Sequence, residues 1–411
     1  MYITVHHERG MPVKKSFSLL VAVSLLFGLC ACGNQEPVET TEGAPNYTAT
    51  AEEIAHIEKL YEGKIPLHGE FHDHADTGGT SDGKSTLKQW TDMMFYLNDM
   101  DFATVVDHKQ VLHMRLPEWD NKYFVGGTEA GTSIGDLSSD CSQWSMHYNM
   151  IFANPESLEL VLNQFPDKYQ YVDDHFKYPQ FKKAEFMEVV KFVQANGGFY
   201  THVHPLGDSY VVSTNPEDYW FGDGMGFEVF CGYYGNMDAI DNQEARYYWV
   251  KMLDMGKRVF ATSGSDSHRL SKTHSLSTFY CDEHHSSEIV KTARTGNFTA
   301  GPVGIRSCIG DKMTGSLASF EGQQRLVVAI NDFHSREHDP SHTYRIDVYT
   351  DAGLVASQEL EDTNEAKYFA MDVDPASRYY RVELFDVTED YIFAVGNPIW
   401  NSALYEGDYL E

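Results

Sequence analysis

Residues 67–83 read LHGEFHDHADTGGTSDG, and two histidines, His72 and His74, stand two positions apart at the end of its apolar part. Side chains alternate between the two faces of a β-strand, so both imidazoles lie on one face if this stretch is a strand, and Asp73 points to the other face. Two histidines at a rigid strand end can bind one metal ion, but a lone His-x-His pair is also often structural. The rest of the chain has to decide between the two interpretations.

The same arrangement, an apolar run with a candidate ligand at one end, recurs along the next 200 residues. The runs are DFATVV before Asp107 and His108, KYFVGGT before Glu129, MHYNMIFA around His147, GGFYT before His202 and His204, GFEVF before Cys231, and KRVFATSGS before Asp266 and His268. Between several of these runs, apolar residues recur at the spacing of an α-helix, over residues 87–97, 181–193, 245–253 and 289–296.

Short buried strands that alternate with helices predict parallel pairing through right-handed crossovers. About seven strands in residues 61–300 fit a closed or nearly closed βα barrel, and such barrels keep their chemistry at the carboxyl ends of the strands. The pair at His72 and His74 is therefore interpreted as the first part of a site with many ligands.

The character of the chain changes after Gly301, where the helical spacing ends and apolar runs alternate with turns every 10 to 15 residues. This pattern predicts an antiparallel β-sandwich over residues 301–411. Three histidines, His334, His338 and His342, lie in a polar loop of this region, where a second metal site is an alternative to a structural role.

Composition restricts the partners of the chain. It has 411 residues with 61 acidic and 31 basic side chains, a formal net charge of −30, which argues against a nucleic acid or an anionic membrane surface as the main partner. Its six cysteines show no Cys-x-x-Cys spacing, so a thiolate zinc site is not expected. Apart from Cys30 and Cys32, the cysteines are predicted to be buried free thiols, although an exported chain also permits disulfides.

The N-terminus has the pattern of an export signal. Lys14 and Lys15 precede the apolar run FSLLVAVSLLFGLCA, which has the length of a signal-peptide core. The run ends in LCAC, which resembles a bacterial lipobox with Cys32 as the lipidated residue; an ordinary cleaved signal is the alternative. We therefore expect a lipoprotein signal peptide over residues 1–32, a tether over residues 33–60, and a protein that is anchored by lipid to the outside of the bacterial cell membrane, on the periplasmic or cell-surface side.

The segments FHDH, VVDH, GGTE, HP and GSDSH occur in the order found in the PHP (polymerase and histidinol phosphatase) metallohydrolases, and the chain resembles that family over residues 65–299. The closing NPIW after a β-domain is similar to the exported CehA/McbA-type subgroup. The resemblance implies a distorted (β/α)7 barrel of PHP type with two or three divalent metal ions, Zn, Mn or Fe.

Carried over to this chain, the resemblance implies three sets of metal ligands. The sets are His72, His74, Glu129 and Asp266 for the first metal, Glu129 as a bridge with His147 and His204 for the second, and His108, His268 and a carboxylate after the first motif for the third. Asp82 is the chosen carboxylate and Asp76 the alternative, because the SDG triplet stands about three residues later than usual. Asp107 is expected to orient a ligand, and His202 to lie behind the ligands.

Clustered metal ions suit phosphoester hydrolysis by a hydroxide that bridges them. Asp266 and His204 are candidate catalytic residues, and Lys109 and Arg269, each next to a ligand, are candidates for holding phosphate oxygens of a small phosphorylated substrate; for both, a solvated rim charge is the alternative. The rival functions are a metal-dependent amide or carbamate hydrolase and a non-catalytic metal-containing surface lipoprotein. The HExxH pattern of zinc proteases is absent from the sequence.

Overall fold

The structure is a computed structural model that describes residues 47–94, 99–136, 144–165, 168, 178–206, 213–232, 235, 237, 239–270 and 275–407. The helices in these residues are α1 Ala51–Leu60, α2 Leu87–Met93, α3 Pro155–Gln164, α4 Lys183–Ala195, α5 Ile240–Asp254 and α6 Ser286–Thr295. The first ten strands are β1 Ile65–Asp73, β2 Phe102–Val105, β3 Phe124–Ile134, β4 Trp144–Phe152, β5 Gln180–Phe181, β6 Phe199–Val203, β7 Met225–Cys231, β8 Val259–Gly264, β9 Ser277–Cys281 and β10 Phe298–Ala300. The remaining strands are β11 Gly304–Ile309, β12 Lys312–Met313, β13 Leu317–Ala318, β14 Arg325–Asn331, β15 Tyr344–Thr350, β16 Gly353–Leu360, β17 Lys367–Asp372, β18 Tyr379–Asp386, β19 Tyr391–Gly396 and β20 Ile399–Asn401.

The predicted strands of the first part pair side by side in a curled sheet with the order β1, β2, β3, β4, β6, β7, β8. Side chains of β3, β4, β6, β7 and β8 and of the helices α3, α4 and α5 share one large apolar core. The first and last of these strands meet at their carboxyl ends, where the N–H of His74 donates to the carbonyl of Ser267 at 2.9 Å and the N–H of Asp266 donates to the carbonyl of His72 at 2.9 Å. The sheet is therefore a partly closed barrel, and the mixed α/β class agrees with the prediction.

Strand β4 departs from the predicted parallel order, because it runs antiparallel to both β3 and β6. Only residues 135–143 connect β3 to β4, and a parallel crossover needs a dozen or more residues. The reversal has a consequence for the site: the beginning of β4, which carries His147, lies at the same end of the barrel as the carboxyl ends of its neighbours. His147 is paired with Gly131 on one side and Val203 on the other.

The C-terminal part contains the predicted antiparallel strands in two layers. Strands β12, β11, β14 and β17 form a separate four-stranded antiparallel sheet, and its apolar face packs on β15, β18 and β19. The second layer is not separate from the barrel, since β10 pairs with β9 on one side and with β19 on the other. Asn397 joins the parts further, because its Oδ1 accepts from the N–H of Ala261 at 2.7 Å and its Nδ2 donates to the carbonyl of Phe298 at 3.1 Å. Residues 46–411 form one compact unit.

Helix α1 lies inside the range 33–60 that was predicted to be a tether, and the prediction is wrong for residues 51–60. Thr50 begins the helix with a capping box, in which Thr50 Oγ1 accepts from the N–H of Glu53 at 3.2 Å and Glu53 Oε2 accepts from the N–H of Thr50 at 2.7 Å. Ile57 is fully buried against the outer face of the four-stranded sheet.

The predicted signal peptide, Cys32 and the first part of the tether lie outside the described residues. Among the described helices, none is long and apolar enough to cross a membrane. Cys231, Cys281 and Cys308 are buried and form no disulfide, as predicted; Cys141 lies outside the described residues.

Candidate metal centre

The strand ends of the barrel bring together all nine side chains that were predicted to bind metal. Among the described residues they form three groups, in each of which the potential ligand atoms lie within 4.8 Å of one another. The first group is His72, His74, Glu129 and Asp266; the second group is Glu129, His147 and His204; the third group is His74, Asp82, His108 and His268. His74 belongs to two groups, which the sequence did not indicate.

Glu129 connects the groups through its two carboxylate oxygens, and its side chain is only 2% exposed. Oε2 faces the first and third groups, at 3.1 Å from His74 Nε2 and 3.3 Å from His108 Nδ1. Oε1 faces the second group, at 2.6 Å from His147 Nδ1 and 3.0 Å from His204 Nε2. One carboxylate with its oxygens directed to two sets of imidazoles has the geometry of a bridging ligand.

In the first group, both histidines of β1 turn their Nε2 atoms toward Asp266. The distances to Asp266 Oδ1 are 3.4 Å from His72 and 3.2 Å from His74. The strand alternation that places these two rings on one face is thus present, and Asp73 lies outside the three groups, with its Oδ1 3.2 Å from the hydroxyl of Ser265.

Glu228 supports the first two groups from behind, and sequence reasoning missed it. Its Oε1 lies 3.3 Å from His72 Nδ1, while His72 Nε2 faces Glu129 and Asp266, and its Oε2 accepts from the backbone N–H of His204 at 2.7 Å. A carboxylate on the second nitrogen of a histidine orients the ring and fixes its tautomer. The signal was the single charged residue inside the apolar run GFEVF, where it is almost fully buried.

The second group also has a support that the sequence did not reveal. His147 directs Nδ1 to Glu129, while its Nε2 lies 2.8 Å from the hydroxyl of Tyr178. Tyr178 comes just before β5 in the chain, and nothing in its sequence surroundings marks it.

The third group is the most open to solvent, since the side chains of Asp82 and His268 are 35% and 34% exposed. Asp82 Oδ1 lies 3.1 Å from His268 Nε2 and 3.4 Å from His108 Nε2. The alternative ligand, Asp76, is exposed and outside the three groups.

Asp107 holds the loop that carries Asp82. Its carboxylate accepts from the N–H of Ala75 at 3.0 Å and from the hydroxyl of Thr77, and it is fully buried. Asp107 was expected to orient a ligand. In the structure it holds the backbone of the loop that carries Asp82, and it lies outside the three groups.

Three of the seven described non-glycine residues with positive φ lie at this end of the barrel. Lys109, His204 and Asp266 have φ angles of 49°, 27° and 52°, in the left-handed region that non-glycine residues rarely adopt. Such strain persists only where the surroundings enforce it, and it is common at functional sites.

Imidazoles and carboxylates lie in close contact in the three groups, and these contacts shift their pKa values. Burial lowers the pKa of His74, but Asp266 and Glu129 outweigh burial and raise that pKa to about 10. The same balance of burial against opposite charge raises the pKa of His72, His204 and His268, and it lowers the pKa of Asp82, Glu129 and Asp266. His147 differs, because burial keeps its pKa below the ordinary value.

Several buried polar atoms at the centre of the groups have no hydrogen-bond partner within the described residues: His72 Nε2, both ring nitrogens of His74, Asp82 Oδ1 and Asp266 Oδ1. Buried polar atoms are rarely left without a partner, and each one costs about 1–3 kcal/mol. Imidazole nitrogens and carboxylate oxygens are ligands for zinc, manganese and iron. The residues therefore fit the implied metal ions.

The other predicted residues lie around this centre or away from it. Lys109 is buried, with Nζ 5.9 Å from the ring centre of Tyr178, and Arg269 is exposed next to His268. His202 is buried outside the three groups, against the rings of Tyr219 and Phe227.

The three C-terminal histidines belong to no metal-binding group among the described residues. His334 Nε2 lies 3.0 Å from the carbonyl of Asp99, His338 Nε2 lies 2.8 Å from Thr363 Oγ1, and His342 Nδ1 lies 2.7 Å from Asp386 Oδ2. These contacts are structural, so the alternative of a second metal site there has no support.

Neither a protein-family model nor a curated protein matches this chain.

Proposed function

We propose that this chain is a metal-dependent hydrolase with a PHP-type barrel, and that it is a phosphoesterase which acts on a phosphate mono- or diester of a small molecule. The observation that carries the proposal is the position of Glu129, whose two oxygens face two different sets of histidines at 2.6–3.3 Å. A bridging carboxylate of this kind is suited to two cations held close together, and paired cations suit the displacement of a phosphate ester.

In the proposed function, His72, His74, Glu129 and Asp266 hold one divalent ion, and His147 and His204 hold a second ion with Glu129. Asp82, His108 and His268 provide a third position. Bound ions would polarise a phosphoryl oxygen and lower the pKa of a coordinated water. Glu228 keeps the ring of His72 in place, so that little reorganisation is needed when substrate binds.

Lys109 is proposed to hold a non-bridging oxygen of the phosphate group. We expect Lys109→Met to lower kcat/KM for a phosphoester about 10–100-fold, because a hydrogen bond to a charged group contributes about 1.5–3 kcal/mol. Lys88→Met, at an exposed position of helix α2, is the matched control and should leave kcat/KM unchanged. Steady-state kinetics of both variants give the measurement; equal kcat/KM in Lys109→Met and wild type would remove the phosphate-binding role.

The function itself is tested by assaying the metal-loaded protein on phosphomonoesters, phosphodiesters, amides and aryl carbamates side by side. Hydrolysis of phosphoesters at a rate that exceeds the rates for the other classes supports the proposal. Preferential hydrolysis of amides or carbamates would replace it with the rival enzyme class, and bound metal without any hydrolysis would favour a binding lipoprotein.

We also propose that the protein is exported and anchored to the bacterial cell envelope through lipid on Cys32, on the basis of the LCAC sequence. Cys32→Ser should move the protein from the membrane fraction to the soluble fraction or leave the precursor unprocessed. Fractionation of cells and mass spectrometry of the N-terminal peptide test this. A variant that fractionates as wild type, in cells where no lipid is found on Cys32, rules the anchor out.

A further inference from the structure

We infer that Tyr178 is a positioning residue of the candidate metal centre: its hydroxyl holds the ring of His147 in the orientation that directs Nδ1 to Glu129, and its own ring lies under the ammonium of Lys109. The inference rests on the proposed function, because it assigns His147 and Lys109 to the same working site. It adds a residue that comes from outside the ring of barrel strands.

The two ring nitrogens of His147 contact different residues. Nδ1 faces Glu129 Oε1 at 2.6 Å, on the side where the second group meets, and Nε2 lies 2.8 Å from the hydroxyl of Tyr178. If Nδ1 binds a cation, Nε2 must carry the proton and donate it to the phenol oxygen. The phenol oxygen can accept this hydrogen bond, so it supports the tautomer that leaves Nδ1 available and holds the ring in place, as outer hydrogen-bond partners of metal-binding histidines do.

The absence of a side chain at Gly131 leaves the space that the ring of Tyr178 occupies. Gly131 is directly opposite His147 in the β3–β4 ladder. A Cβ atom at Gly131 would overlap the Tyr178 ring, and the atoms it would meet first are Cε1 and Cδ1. The ring thus lies close against the backbone of β3, and only glycine at position 131 permits this approach.

The segment that follows Tyr178 is fixed to the same strand, and this anchors the tyrosine on its C-terminal side. The carbonyl of Pro179 accepts from the N–H of Ser133 at 2.9 Å and from the hydroxyl of Thr132 at 2.9 Å. Strand β5 then pairs in parallel with the end of β3, and Phe181 is buried in the barrel core. A side chain anchored in this way can hold a histidine ring in one orientation.

Lys109 connects the tyrosine to the substrate side of the site. Its N–H donates to the carbonyl of Glu129 at 3.1 Å, and its Nζ lies 5.9 Å from the centre of the Tyr178 ring, within the range of a cation–π contact. The hydroxyl and the ring of one residue therefore act on two different groups, a metal ligand and a cation.

The test is metal binding by Tyr178→Phe, which removes the hydroxyl and keeps the ring over Gly131 and under Lys109. Cobalt(II) alone is the probe, titrated in competition with a chelator, and its visible absorption is recorded as a second readout. We expect affinity at one cobalt position to fall about 10–100-fold, the usual cost of losing an outer partner of a metal-binding histidine, and the absorption of that ion to change.

Tyr405→Phe is the matched control, because Tyr405 is also half-buried and its hydroxyl donates to Asp223 Oδ2 at 2.7 Å, outside the three groups. It should bind cobalt as wild type does. Gly131→Ala gives a second route, since it must displace the ring, and it should lower the same affinity; if it does not fold, the Tyr178→Phe titration decides alone.

Wild-type affinity and absorption in Tyr178→Phe would overturn the inference, as would equal losses in both tyrosine variants. The cobalt titration needs no turnover, so it is independent of the substrate question. Failure of the wild-type protein to hydrolyse phosphoesters would count against the proposed function, while the ratio of cobalt affinities alone decides the role of Tyr178.

Discussion

Replacing Glu129 by glutamine should lower bound metal and abolish turnover, and this is the largest effect that we expect from a single substitution. Glutamine keeps the size of the side chain but removes the negative charge that faces five imidazoles from its two oxygens. Its amide nitrogen cannot bind a cation. Metal affinity should fall by more than the roughly 10–100-fold that follows the loss of an outer partner, because a direct ligand of two positions is lost.

Two aspartates of one loop, Asp82 and Asp76, provide variants for comparison with Glu129→Gln. Asp82→Asn should affect only the third group and leave two metals, with residual activity, because water can take the place of a terminal ligand. Asp76→Asn is the control and should behave as wild type, since Asp76 is exposed and outside the groups. Metal analysis and kinetics of the purified variants provide the measurement. Full metal content and near-normal hydrolysis in Glu129→Gln would end the bridging role.

Removing metal with a chelator should abolish turnover and destabilise the protein by an amount that grows with pH. Each ion that binds only the folded chain stabilises it by about 4 kcal/mol when its concentration is 1,000 times its dissociation constant. Protons compete with the ions for the imidazoles, and the folded-state pKa of His74 is raised to about 10. Metal binding therefore strengthens as pH rises from about 6 to 9.

In the metal-free protein, the histidines and the carboxylates of the three groups change stability in opposite directions as pH rises. His72, His74, His204 and His268 have raised pKa values, so their contribution to stability is complete below the unfolded value of about 6.5 and is lost as pH rises through the folded values. Asp82, Glu129 and Asp266 have lowered pKa values, so their contribution is present above about pH 4 and is lost as pH falls. The metal-free protein should be most stable between about pH 4.5 and 6.5.

Thermal unfolding with saturating metal and with chelator, at pH values from 5 to 9, measures both effects. We expect the difference in Tm to widen steadily above pH 6. A difference that is the same at pH 6 and pH 9, or no difference at all, would show that these imidazoles do not bind the added metal.

The barrel strands and the grouping of their candidate ligands could be predicted because neighbouring residues in the sequence carry the signal. An apolar run followed by histidine or carboxylate marks both a strand and its functional end, as at His108 and Asp266. Strand direction was harder: the length of the β3–β4 connection excludes a parallel crossover, and this signal outweighs the general βα pattern. Helix α1 was also accessible, since Thr50 and Glu53 have the spacing of a capping box.

The supporting residues could not be predicted in the same way, because their roles depend on contacts between distant parts of the chain. Glu228 acts on His72 across 156 positions, and Tyr178 acts on His147 from a segment with no regular pattern. A buried glutamate can be suspected from its apolar neighbours, but only the fold shows which histidine it contacts. The sharing of His74 between two groups likewise follows from the closure of the barrel.

That closure also sets the order in which the centre can be completed as the chain is synthesised. Asp73 and Ser267, which join the two edges of the barrel, are 194 positions apart (267 − 73), while Glu129, His147 and His204 span only 75 (204 − 129). Contacts between distant residues form slowly, because a long loop must first be closed. The second group can therefore assemble while the later strands are still being made, and the first and third groups must wait for residues 266 and 268. A cation captured early would bind at Glu129, and it would template the closure of the barrel around it.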